Sequence, residues 1–96
     1  TAVTALRLHQ NVPNPFNPHT KISFTIGDAA SVELAVYDSR GRRVRILLEE
    51  QLLAEGPHRA DWNGRDDAGR ALPSGIYLAR LVTGDRVAGI TMVLLK

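Results

Sequence analysis

The sequence predicts an all-β protein, an antiparallel β-sandwich of immunoglobulin or fibronectin type III kind with about seven to eight short strands. Three observations lead there. Apolar residues recur at every second position in several short runs, as in Ile22, Phe24 and Ile26, the period of a half-buried strand. Turn residues interrupt the chain roughly every 8–12 positions. No stretch combines a helical period with start and stop signals. A small barrel is the competing architecture. Ninety-six residues suffice for one hydrophobic core without metal or disulfide.

From the N-terminal end, Ala5 to His9 reads as a short strand with Leu6 and Leu8 on one face. Asn11, Pro13, Asn14, Pro15, Phe16, Asn17 and Pro18 follow in a segment that no regular strand or helix can occupy. Its prolines fix φ, remove backbone donors and push the residues before them toward extended conformations. Asparagines at 11, 14 and 17 can hydrogen-bond their own backbone in Asx-turns, so a stiff, ordered loop is expected, with Phe16 plugging an end of the core. The next strand, Lys21 to Ile26, turns Ile22, Phe24 and Ile26 inward. After Gly27-Asp28, Val32, Leu34 and Val36 point inward in turn and Tyr37 faces the other way. Asp38 to Gly41 is a hairpin turn, with Gly41 at its left-handed position. Val44, Ile46 and Leu48 continue as the return strand. Glu49 to Glu55 has a helical composition but is too short to hold a helix, and Gly56-Pro57 ends it. It reads as an extended or bulged connection, and Ile46 to Leu53 as a partly buried edge, with a membrane-surface or partner segment as the alternative.

His58 to Leu81 organises the rest. His58, Ala60 and Trp62 share one face of a strand, and Tyr77, Ala79 and Leu81 one face of another. The two read as a central hairpin whose long loop reverses at Asn63-Gly64, which tolerates a positive φ, with Gly75 expected to supply a second such point just before the strand resumes. Burying Trp62, the only tryptophan, removes roughly 150–250 Å² from water, about 4–6 kcal/mol as an upper bound. Thr83 to Arg86 then turns the chain into a last strand, Val87 to Leu95, apolar on both faces.

The chain contains no cysteine, which removes disulfides, thiol chemistry and thiolate metal sites. No apolar run approaches the roughly 20 residues of a membrane-spanning helix. The net charge is only +2 and the arginines alternate with acids, so no basic stripe or aromatic platform for nucleic acid is present. The first residue is threonine, which reads as a piece excised from a longer polypeptide or as a processed chain. His9, His19 and His58 lie in no catalytic pattern, and no nucleophile elbow, HExxH or P-loop occurs, so no enzyme activity and no cofactor are expected. Asp61, Asn63, Asp66 and Asp67 place hard oxygen donors within seven residues of a turn, the chemistry of a calcium site, although turns use the same residue types for their own geometry.

The segment Asn11 to Pro18, followed by Thr20 and the Ile22/Phe24 strand, resembles the opening of type IX secretion C-terminal sorting domains of type A. Val36-Tyr37-Asp38 with Gly41-Arg42, Trp62-Asn63-Gly64-Arg65-Asp66, Gly69, Ser74-Gly75-Ile76-Tyr77 and the ending Met92 to Lys96 match in order. The tryptophan and Gly-Tyr pieces are also similar to the immunoglobulin-like domain of the flagellar hook-capping protein. The resemblance implies a β-sandwich at the end of a secreted or cell-surface protein, read by an outer-membrane translocon and its processing peptidase, with cargo domains N-terminal to it. By that resemblance Ile90, Thr91, Met92, Val93, Leu94, Leu95 and Lys96 carry the export signal. The family often has a basic residue where this chain has Ile90 and Thr91. An uncharged strand end of this kind suits pairing with a partner strand or with a second copy. Two other classes are a carbohydrate-binding or cell-attachment module, for which Tyr37 and Tyr77 are the available aromatics, and a hook-capping-type assembly domain.

Overall fold

The alternating runs become strands because only a pleated chain can send every second side chain into a shared interior. The computed structural model of the chain describes residues 6–96. It contains seven strands: β1 (Leu6–Leu8), β2 (Thr20–Ile26), β3 (Ala30–Tyr37), β4 (Arg43–Leu53), β5 (Gly56–Trp62), β6 (Gly75–Thr83) and β7 (Arg86–Leu94). Ala5, expected at the start of β1, lies outside the described residues. Two antiparallel sheets result, a three-stranded one in the order β1-β2-β5 and a four-stranded one in the order β4-β3-β6-β7. The fold is the immunoglobulin-like sandwich. Ile22, Phe24 and Ile26 from one sheet meet Val32, Leu34, Val36, Ala79 and Leu81 from the other, all fully buried.

Trp62 sits at one end of this interior, 1% exposed. Its ring centroid is 5.4 Å from that of Phe16 and 5.6 Å from that of Tyr77, the latter edge-on, and its Nε1 donates to the Arg65 carbonyl at 2.9 Å. No buried polar atom is therefore left from the indole. The expected central hairpin is corrected here. β5 and β6 lie in different sheets, and the chain between Trp62 and Gly75 crosses from one to the other. Strands paired by a hairpin are normally joined by two to five residues or so; this connection is longer, and its strands face each other across the core instead.

Of two further expectations, the extended and bulged connection holds and the left-handed Gly75 does not. Glu49 to Glu55 continues β4 to Leu53, with bulges against β3 and Glu50 at a φ of 43°. The extra residues change the strand's phase, so Val44, Leu47, Leu48 and Leu53 pack on the core while Ile46 is carried to the face opposite, beside Ala35. Gly75 is not in the left-handed region; it opens β6 in extended form opposite Leu94. Gly64 is the position that needs glycine, with φ 72° and a backbone so close to Pro18 that an added Cβ would lie 3.1 Å from its carbonyl oxygen.

Candidate functional site

β7 is the outer strand of the four-stranded sheet, paired on one side with β6 from Thr83↔Arg86 to Gly75↔Leu94. Edge strands offer a row of unused backbone groups on the free side. Here the proline loop covers the C-terminal half of that row. The Thr91 carbonyl accepts from Gln10 Nε2 at 2.8 Å. The Val93 amide donates to Asn14 Oδ1 at 2.9 Å. Phe16 closes the rest, its amide donating to the Val93 carbonyl at 2.9 Å and its carbonyl accepting from the Leu95 amide at 3.0 Å. The Lys96 amide donates to Ser74 Oγ at 2.9 Å.

The seven residues expected to carry the export signal therefore divide. Met92 and Leu94 are fully buried in the core and Ile90 packs against it. Thr91, Leu95 and Lys96 are exposed, Leu95 by 51%. An exposed edge able to accept a partner along the whole stretch is corrected: alternation puts half of these side chains inside, and the loop occupies the backbone from Thr91 onward. Toward the other end, the outward groups of Val87 and Gly89 have no partner among the described residues.

The loop is held in turn. Asn11, 1% exposed, donates through Nδ2 to Thr20 Oγ1 at 3.0 Å and to the Pro13 carbonyl at 3.1 Å, and Thr20 Oγ1 donates to the same carbonyl at 2.9 Å. Buried amides need such partners. Phe16 fills the core end as expected. Asn14, expected to cap its own backbone, reaches β7 instead. Val12-Pro13, Asn14-Pro15 and Asn17-Pro18 are cis.

The four donors of the calcium reading are not brought together. Asp61 lies on β5 opposite Lys21, with Arg59 Nε 4.0 Å away. Asn63 Oδ1 accepts from the Arg65 amide at 3.2 Å, and Asp67 Oδ1 from the Ile46 amide at 3.0 Å, tying the loop to β4. Among the described residues no group of three His, Asp or Glu side chains is placed to hold a metal. The aromatics of the carbohydrate reading are not a platform either, since Tyr77 is 4% exposed and its hydroxyl donates to the Pro73 carbonyl at 2.7 Å.

Asp66 belongs to a device that sequence reading missed, although its signal is plain. Asp38-Ser39-Arg40-Gly41-Arg42 and Asp66-Asp67-Ala68-Gly69-Arg70 share the pattern D-x-x-G-R and fold alike. In the first, Asp38 Oδ1 accepts from the amides of Arg40 and Arg42, and Oδ2 from Arg42 Nε, each at 2.9 Å. In the second, Asp66 Oδ1 accepts from Ala68 and Arg70 at 3.0 and 2.9 Å, and Oδ2 from Arg70 Nε at 3.1 Å. Gly41 and Gly69 have φ of 83° and 85°. The two carboxyls are held below the usual value of 3.8, chiefly by the backbone N–H groups of Arg42 and Arg70.

Because folding lowers these pKa values, the stability the two groups contribute is complete above the unfolded value near 3.8 and is lost as pH falls through the lower folded values. Changing both to asparagine is expected to flatten the dependence of urea stability on pH below about pH 4. An acid limb unchanged in the double variant would contradict this account of the turns.

A profile of the family described as the FlgD Ig-like domain matches residues 12–86. The chain belongs to the FlgD Ig-like family. The match takes in the proline loop, both D-x-x-G-R turns and Trp62, and stops at Arg86, before most of β7. No curated protein matches the chain. Among solved structures, FLGD from P. aeruginosa is 26% identical with a TM-score of 0.63, covering 79% of this chain and 60% of that one. Dimeric latent PorU from Porphyromonas gingivalis has the same fold, at 20% identity and a TM-score of 0.77 over 99% of this chain. So does PorZ, described as an essential surface component of the type-IX secretion system of that bacterium, at 18% identity and 0.60 over 95%. This FlgD Ig-like chain spans 10% of the PorU chain and 11% of the PorZ chain.

Proposed function

We propose that this FlgD Ig-like domain is a non-catalytic sorting and anchoring module that directs an attached protein through a type IX translocon to the cell surface. The observation that carries the reading is the state of β7: an edge strand, uncharged from Val87 to Leu95, whose terminal backbone is held by a separate loop through Asn14 and Phe16. A clamp made of two side chains, those of Gln10 and Asn14, and one residue's backbone, that of Phe16, is a contact that a partner strand can replace bond for bond. Thr91, Leu95 and Lys96 are the side chains a receptor would meet first. The likeness of the whole chain to PorU, and PorZ's description as a secretion-system component, support this reading. The partners implied are an outer-membrane translocon, its processing peptidase and the domains preceding this one, at a secreted or surface location.

The test is surface display of a reporter fused ahead of residues 1–96 in a bacterium with a type IX system. Removing Ile90 to Lys96 is expected to reduce display at least about tenfold, as expected when a recognition strand is lost, with the reporter still folded inside the cell. Undiminished display would sink the proposal. The second reading is a hook-capping-type assembly domain, favoured by the family match and the 26% identity to FLGD. It expects the truncation to impair assembly of the parent protein rather than its export.

A further inference from the structure

The two D-x-x-G-R turns stand on one cleft of about 670 Å³, whose lining includes Arg40, Arg42, Arg43, Arg70, Leu72 and Tyr77. Each turn fixes its last arginine by the Nε edge, Arg42 to Asp38 at 2.9 Å and Arg70 to Asp66 at 3.1 Å. A guanidinium has five N–H groups, four of them on its terminal nitrogens. Holding Nε therefore restricts the side chain while leaving the terminal fork for another acceptor. These two side chains remain 70% and 80% exposed. Arg40 and Arg43 add further positive charge, and neither side chain has an ion pair among the described residues.

The lining also holds Asp38, Asp66 and Asp67. Asp38 and Asp66 have both oxygens engaged inside their own turns. Asp67 accepts from the Ile46 amide and has Arg45 Nε 3.9 Å away. The Tyr77 hydroxyl is kept neutral at physiological pH, since burial and then the Asp38 carboxylate push its pKa upward. The cleft's uncompensated charge is thus positive, carried by guanidiniums of which two are pre-positioned.

We propose that this cleft binds an organic phosphate ester, the phosphate bracketed by the arginine rim and the carbon body lying toward Leu72 and Tyr77. Phosphate offers several acceptor oxygens and up to two charges, so it can engage more than one guanidinium fork at once. The cleft's volume falls within the roughly 300–1,000 Å³ of small-molecule sites, more than a bare phosphate ion fills. The site does not depend on the sorting role and uses no residue of β7.

Phenyl phosphate titrated into the isotope-labelled 96-residue chain and followed by amide NMR tests it. Saturable shifts centred on Gly41, Gly69 and Gly75 are expected, with a dissociation constant below about 1 mM. Inorganic phosphate is expected to bind several-fold more weakly. Arg40→Gln with Arg43→Gln, neither in a turn hydrogen bond through its side chain, should weaken binding about tenfold at unchanged melting temperature. Arg59→Gln, on the other sheet, should leave it intact. Vesicles of phosphatidylcholine with and without phosphatidic acid distinguish the source. Retention that needs both phosphatidic acid and the two arginines assigns the phosphate to a lipid headgroup, whereas a response to phenyl phosphate alone assigns it to a soluble ester; either result supports the site. No response to phenyl phosphate and no arginine-dependent retention overturn the proposal. Equal affinity for inorganic phosphate, or equal loss in Arg59→Gln, does the same.

Discussion

Trp62→Ala is expected to lower the unfolding free energy by about 3–5 kcal/mol, among the largest effects of any single truncation in this core. Natural domains of this size hold only about 5–15 kcal/mol in total, so the variant should sit near the edge of folding. Three losses coincide. The indole is almost wholly removed from water; it makes ring contacts with both Phe16 and Tyr77; and its Nε1 satisfies the Arg65 carbonyl in the long β5–β6 connection. Phenylalanine at this position keeps an aromatic surface but abandons the last of these, so Trp62→Phe should cost roughly 1–3 kcal/mol. Urea unfolding of the wild type and both variants checks the order. A Trp62→Ala loss below about 1 kcal/mol, within the range of ordinary surface changes, would show that the core does not close on this residue.

Phe16→Ala is expected to cost a comparable 3–5 kcal/mol, with a local consequence that Trp62→Ala does not share. Phe16 acts through two separate parts. Its ring is 1% exposed and packs on Trp62, whereas its amide and carbonyl bond Val93 and Leu95. Truncating the ring leaves those backbone groups in place but removes what anchors them, so the clamp on β7 should open more often than the sheet as a whole. Hydrogen exchange reads this directly. Protection at Leu95 and Val93 should fall further than protection at Leu34 in the middle of the four-stranded sheet. Equal losses at the three amides would mean that the loop and the sheet unfold together and that β7 has no separate gate. Opening this edge should also raise aggregation, because the freed stretch from Thr91 to Leu95 carries no charge.

Which parts of the molecule could be read before folding follows a physical division. The period of two in Ile22-Phe24-Ile26 and Val32-Leu34-Val36 is a local property of a strand with one buried face, and those residues are buried as expected. Phe16 was legible as a plug because it is the one large apolar side chain in a segment that can form neither helix nor strand. Gly41 was legible because a tight turn needs a positive φ there, and it has one. The paired D-x-x-G-R turns could have been found by comparing Asp38–Arg42 with Asp66–Arg70, since an aspartate accepting from amides two and four residues on is a short-range event.

The sequence by itself thus determined the class of fold, the inward faces of most strands and the chemistry of the turns, all of which depend on neighbours within a few residues. Only the tertiary structure decided which strands share a sheet, and so placed Trp62 and Tyr77 across the core from one another rather than side by side. It also decided that bulges in β4 carry Ile46 away from the core, that Asn14 spends its side chain on β7, and that two distant turns border one cleft. Register, sheet order and loop docking depend on contacts between residues far apart in the chain, whose free energies are comparable among many pairings until the whole interior closes.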